Sequence, residues 1–224
     1  DTDSLFLANP SEEKMKALME WSKKELGIEL DVDKVYRYAV FSERKKNYFG
    51  VFPDGSVDVK GLVGRKSNTP KFLQVAFQQV LRILSQVKSA EEFEEAKRKI
   101  FEIIRDYYVR LKRKQLSLEE LAFTVVLGKD IHAYKVEPQH VKAAKMLESH
   151  LGRPLGVGDT IRYVKVRTKD GVKPVELVKS LDEIDDEKYV EHMRTMFSQI
   201  LEPLGIDFDE ILGTVSLRSF FEAA

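Results

Sequence analysis

The chain has 224 residues with 37 basic and 37 acidic side chains and 43% hydrophobic content, enough for one large domain or two small ones around a real core, and its overall charge singles out no polyanionic partner. It contains no cysteine, which excludes disulfides and thiolate metal sites and matches a reducing, intracellular setting. The longest mostly apolar stretch, Leu121 to Leu127, is far short of the roughly 20 residues that span a bilayer; with an acidic rather than basic start, a cytoplasmic protein with no membrane partner is expected.

In chain order, Ser4 to Leu7 reads as a short strand, and Asn9 offers an N-cap with Pro10 in the first helical position and Glu12 and Glu13 in the first turn. The helix that follows places Met15, Leu18, Met19 and Leu26 on one face and ends near Gly27. Val35 to Ser42 is rich in β-branched and aromatic residues, and Tyr48 to Phe52 pairs with Ser56 to Val59 across Pro53-Asp54-Gly55. A Gly/Ser/Asn/Thr stretch at Gly64 to Thr69 marks the boundary beyond which the period becomes helical. Leu73, Phe77, Val80 and Leu84 form one apolar stripe, and Phe93, Ala96, Ile100, Ile103, Tyr107 and Leu111 form another. Ser89 with Glu92, and Ser117 with Glu120, have capping-box spacing; the second is expected to start a short helical turn that leads into an extended segment. Pro138 to Leu147 is expected as helix, Thr160 to Val166 as strand, and Lys188 to Leu201 as a helix with Tyr189, Met193, Met196, Phe197 and Ile200 inward. The fold class is therefore α+β.

The chemistry-bearing residues begin at the first position. Asp1 and Asp3 are two apart, so on an extended segment both carboxylates face the same side, and paired carboxylates are the hard oxygen donors that divalent cations take. By itself the Asp-x-Asp pattern near a terminus more often marks just a solvated acidic pair. The run Asp1-Thr2-Asp3-Ser4 resembles the palm motif of the family B DNA polymerases, normally preceded on a β-hairpin by a tyrosine and one further residue. That resemblance implies Mg2+ in a two-metal site shared with a partner chain, with Asp3 as a metal ligand and catalytic residue and Asp1 beside it in a supporting role. Two magnesium ions held about 3.5–4 Å apart stabilise the attacking and leaving oxygens of an in-line phosphoryl displacement. A further aspartate of that site belongs to an earlier motif absent from this sequence, and Asp31 or Asp33 is a candidate for a later acidic position.

Arg44-Lys45-Lys46-Asn47-Tyr48 is a basic cluster ending in an aromatic at the mouth of the expected hairpin. Lysine and arginine supply the sequence-independent, salt-sensitive part of nucleic-acid affinity, although such a cluster also suits a plain solvated surface. Lys45, Lys46 and Tyr48 match the Lys-Lys-x-Tyr motif that follows in the same family, where it grips the primer–template duplex; Asn47 replaces a frequent basic residue. Lys60-Gly61 resembles the Lys-Gly of archaeal members, with a glycine suited to a left-handed backbone. Arg65 and Lys66 stand where many relatives have a basic pair followed by an acidic residue missing here. Lys129, Tyr134 and Lys135 resemble a phosphate-contacting stretch of the archaeal thumb. The run Arg110-Leu111-Lys112-Arg113-Lys114 suits either a helix C-terminus, where positive charge complements the dipole, or DNA contact. His140 reads as structural. Leu217, Phe220 and Phe221 follow the spacing of a sliding-clamp-binding peptide, with Thr214 in place of its glutamine, or else fold back on the helical lobe.

The resemblance thus implies the C-terminal part of a polymerase palm at residues 1–66 (strands, a hairpin and one helix), a mostly helical thumb at 67–213 and a clamp-binding tail at 214–224. It implies a DNA-directed DNA polymerase subunit, cytoplasmic and nucleoid-associated, that works on primer–template DNA and dNTP with a sliding clamp. Activity is expected only with a large subunit that carries the rest of the palm, the fingers and the exonuclease. A chain that opens at Asp1 and runs straight into a strand is what such a division predicts, unless an initiator methionine is simply unnumbered. The alternative is a non-catalytic subunit that binds duplex DNA and tethers the clamp.

Overall fold

The computed structural model describes residues 4–43, 47–61 and 69–213. They form two compact units, Asp1–Gly61 and Leu62–Ala224. The α+β expectation holds: helices accompany two small antiparallel sheets.

In the first unit, helix α1 (Glu12–Trp21) starts at Ser11, whose hydroxyl accepts from the Lys14 amide at 3.3 Å, with Glu12 and Glu13 in the first turn. The start is two residues later than the Asn9-Pro10 pattern suggests. Asn9 instead has a left-handed φ of 46°, a conformation asparagine tolerates better than most residues, and so turns the chain ahead of the cap. A π-helical turn, Ser22–Leu26, extends α1 to Gly27, which closes it with a φ of 67°. Buried Ser22 donates its hydroxyl to the Ile28 carbonyl at 2.9 Å.

Strands β1 (Tyr38–Phe41), β2 (Tyr48–Val51) and β3 (Val57–Lys60) form an antiparallel meander. The β2–β3 turn is the one its residues dictate. Gly55 takes φ 86°, its amide donates to the Phe52 carbonyl at 2.9 Å, and the Asp54 carboxylate accepts from the Ser56 amide at 2.8 Å. Side chains alternate across the sheet: Phe49, Val51 and Val59 are buried on one face, while Phe41, Tyr48, Gly50, Asp58 and Lys60 share the other. Ser4 to Leu7 is not a strand, because no strand among the described residues pairs with it; apolar alternation makes a strand only where a neighbour supplies the hydrogen bonds.

In the second unit, α2 (Lys71–Gln86) packs against α3 (Ala90–Lys112). The expected stripe of α2 is buried in full; in α3, Ile104 takes the buried position beside half-buried Ile103. Ser89 caps α3, but Glu92 accepts from the Lys88 amide rather than closing the box. The box at Ser117 and Glu120 is complete and opens the single turn α4 (Leu118–Leu121), which leads directly into β4 (Phe123–Val126). Strand β4 pairs with β5 (Thr160–Lys165), and β5 with β6 (Val172–Pro174); α5 (Gln139–Leu151) packs on this sheet. Helix α6 (Asp186–Leu201) buries all five residues expected to face inward, and α7 (Phe208–Leu212) packs against α3 and α6. Tyr189 is the central pin: its hydroxyl donates to the Leu121 carbonyl at 2.8 Å and accepts from the Lys165 amide at 3.1 Å. Burial of that hydroxyl pushes its pKa well up. Among the described residues no helix is long and apolar enough to cross a membrane.

Candidate nucleic-acid interface

The first unit presents its polar sheet face around β2 and β3. Tyr48 and Lys60 are directly opposed across the two strands, so a phenol and an ammonium stand side by side on one face, suited to a phosphate backbone. Gly61 follows with φ 66°, the left-handed backbone that the Lys-Gly pair predicts. At the same end of β2 the β1–β2 connection is closed by Ser42, whose amide and hydroxyl both donate to the Asn47 carbonyl, at 3.1 and 3.0 Å. Lys45 and Lys46 belong to this connection and lie outside the described residues, as do Asp1, Asp3, Arg65, Lys66, Leu217, Phe220 and Phe221.

Behind Tyr48 and Lys60 stands a polar brace that sequence reading missed. One oxygen of Asp58 accepts from Lys34 Nζ at 2.6 Å and from the Tyr36 hydroxyl at 2.8 Å, while the other lies 3.9 Å from Lys60 Nζ. Burial alone would raise the Asp58 pKa, but the bonds from Lys34 and Tyr36 and the nearby ammonium groups outweigh it and hold the carboxyl below its usual value. Burial and the bond to Asp58 push the Tyr36 hydroxyl pKa up, so it remains a donor. The Tyr36 ring lies against the β2 backbone at Gly50, where a β-carbon would overlap it. The hairpin register could have shown Asp58 beside Lys60; nothing local could have shown Tyr36 over Gly50. A third cluster covers the outer end of the face, where the Phe6 ring meets Phe41 at 4.7 Å and Tyr48 at 5.3 Å, both edge to face.

Asp31 and Asp33 are exposed, and Asp31 Oδ1 accepts from the next amide, Val32, at 2.7 Å. No group of three or more acidic or histidine side chains suited to a metal occurs among the described residues. Asp1 and Asp3, outside the described residues, are hard oxygen donors of the kind that magnesium takes.

In the second unit, exposed Lys129 sets its Nζ over the ring of half-buried Tyr134 at 4.0 Å, a cation–π pair, and Lys135 beside it is exposed. His140 meets the Tyr134 ring edge-on at 5.6 Å, and burial lowers its pKa, which favours the uncharged ring. The basic run at the end of α3 is largely consumed internally. Arg110 pairs with Glu120 at 3.1 Å, Lys112 with Asp186 at 2.8 Å and also with Glu187, and Lys114 with Asp182. These pairs tie α3 to α4 and to the loop and helix that follow β6, an internal use that neither the helix-terminus reading nor the DNA-contact reading of the run contained.

Together these features define an α+β protein with a tyrosine–lysine face on a braced three-stranded sheet and a separate, mainly helical unit. The model for DNA polymerase family B matches residues 1–211, and the chain belongs to that family. It is 48% identical to DNA polymerase 1 of Saccharolobus solfataricus and 46% identical to DNA polymerase 1 of Sulfolobus acidocaldarius, each match covering 99% of this chain and 25% of the relative. Among solved structures it is similar to the family B DNA polymerase of Pyrobaculum calidifontis, with a TM-score of 0.63 and 27% identity over 88% of this chain and 25% of that one. The chain spans about a quarter of the length of the relatives it matches.

Proposed function

We propose that this chain supplies the C-terminal part of the palm (1–66), the thumb (67–213) and a clamp-binding tail (214–224) of an archaeal-type DNA-directed DNA polymerase. The reading is carried by the coincidence of the Asp1-Thr2-Asp3-Ser4 and Lys45-Lys46-x-Tyr48 motifs with a sheet face that sets Tyr48 opposite Lys60. Asp3 and Asp1 are the carboxylates of this chain that would hold Mg2+, which when bound lowers the pKa of the primer 3′-hydroxyl and neutralises charge on the transferring phosphate.

What the chain's own side chains do is hold the duplex. Lys45, Lys46, Lys60 and Tyr48, with Arg65 and Lys66, bind the backbone near the primer end. Lys129, Tyr134 and Lys135 bind it a second time from the thumb. Fixing the primer end against the nucleotide converts an encounter into an oriented, effectively unimolecular step. No protein nucleophile is needed. The chain acts with the portion that carries the remaining palm carboxylate, the fingers and the exonuclease, in this reading a large subunit of a two-chain enzyme. Exposed Trp21, Leu26 and Ile28 are apolar surface that such a partner would cover. Leu217, Phe220 and Phe221 engage a sliding clamp, which places the protein at the nucleoid.

The test is Asp3→Ala in the complete polymerase with Mg2+, primer–template and dNTP. Extension is expected to fall by roughly 10³-fold, several kcal/mol of transition-state stabilisation, with duplex affinity retained. Undiminished extension would instead make this chain a non-catalytic duplex-binding and clamp-tethering subunit.

A further inference from the structure

The Phe6 ring is held edge to face between Phe41 and Tyr48, at 4.7 and 5.3 Å, and Phe41 and Tyr48 are themselves cross-strand partners with their rings 5.7 Å apart. Three rings from three separate segments therefore close on one another. Two of those segments carry the proposed chemistry. Phe6 follows Asp3 by three residues, so at ~3.3–3.6 Å per residue their Cα atoms lie within about 11 Å of each other whatever path the chain takes. Tyr48 ends the Lys45-Lys46-Asn47-Tyr48 motif and faces Lys60. No backbone pairing joins residues 4–7 to β2, and the ring contacts of Phe6 reach the strand that bears Tyr48.

We infer that Phe6 is a positioning residue: through its edge-to-face contact with Tyr48 it ties the segment that follows the carboxylates to the tyrosine that holds the primer duplex. The inference rests on the polymerase reading above and adds a role that neither motif contains. An aromatic ring is required because edge-to-face geometry is directional, with the positive edge of one ring against the negative face of the next, whereas an aliphatic side chain fills space without fixing an angle. Displacement at this contact would move the metal-holding carboxylates relative to the bound primer end. It would slow the chemical step and leave duplex affinity to the lysines.

The experiment uses the complete polymerase with Mg2+ and compares wild type, Phe6→Leu, Phe6→Tyr, Tyr48→Leu and the double variant Phe6→Leu/Tyr48→Leu. Single-turnover nucleotide incorporation, primer–template Kd and Tm are measured for each. Phe6→Leu is expected to slow incorporation at saturating nucleotide about three- to tenfold, with Kd within about twofold of wild type. Phe6→Tyr, which keeps the ring, is expected to restore the rate, and in the Tyr48→Leu background Phe6→Leu should add little further slowing. Equal slowing in both backgrounds, or a change in Tm and Kd with the rate unaltered, overturns the inference while leaving the polymerase reading intact. Should Phe6→Leu fail to fold, Phe6→Met, which keeps the bulk and removes the ring, carries the same cycle with Tyr48→Leu. A wild-type enzyme unable to extend a primer overturns both readings.

Discussion

The ammonium of Lys112, in the last turn of α3, lies 2.8 Å from the carboxylate of Asp186 at the start of α6. Arg167 also pairs with Asp186, and Lys112 reaches Glu187 as well. Burial works against both charges, but the mutual hydrogen bonds prevail: the Lys112 pKa is raised and the Asp186 pKa lowered. Acidic side chains in the first turn of α6 and a basic one in the last turn of α3 also suit both helix dipoles.

Because Lys112 is engaged internally, Lys112→Ala should act on stability and not on duplex affinity. The pair is partly exposed, so a loss of about 1 kcal/mol is expected, seen as a Tm lower by roughly 2–4 °C. Thermal unfolding and a primer–template titration check this together. A severalfold rise in Kd with Tm unchanged would restore the DNA-contact reading of the α3 basic run.

Gly50→Ala would drive a β-carbon into the Tyr36 ring. Tyr36 must then swing away and lose its 2.8 Å bond to Asp58, at a cost of about 1–3 kcal/mol for overpacking. Slower-exchanging amides of β2 and β3 should lose protection in hydrogen exchange. Tyr36→Ala in the same chain should recover part of the loss, so the two changes together cost less than their sum.

Asp58 gives the first unit a defined acid limb. Its folded pKa lies below the ordinary value, so its contribution is fully present above the unfolded pKa of about 3.9 and is lost as pH falls through the folded value. The stability gap between wild type and Asp58→Asn should therefore be constant near neutrality and close under strong acid. Denaturant unfolding at a series of pH values measures it; a gap that widens as pH falls contradicts the brace.

Under the proposed function, Lys45→Ala with Lys46→Ala should weaken duplex binding uniformly across sequences. Each phosphate contact contributes about −0.9 to the slope of log K against log salt, so the double change should flatten that slope by roughly 1 to 2. Titrations at several salt concentrations give the slope, and an unaltered one removes these lysines from the interface.

Much of the fold was legible because its signals are short range. The stripes of α2 and α6, the Pro53-Asp54-Gly55 turn and the capping box at Ser117 and Glu120 follow from residues a few positions apart. The same is true of the motifs that carried the family resemblance, whose order along the chain needs no coordinates. Contacts between distant segments were not legible in this way. Ser4 to Leu7 looked like a strand because alternation is local, whereas pairing is not.

By itself, then, the sequence determined an α+β chain of the family B polymerase type, its helical and hairpin elements, and the acidic and basic residues that bear the proposed chemistry. Tertiary structure alone decided which of those residues have company. It set Tyr36 over Gly50 and against Asp58, paired the α3 basic run with Asp182 and Asp186, and brought Phe6 against Tyr48. The physical reason is that periodicity and turn chemistry act over a few residues, while an ion pair or a ring contact exists only after folding has closed the long loops between its partners.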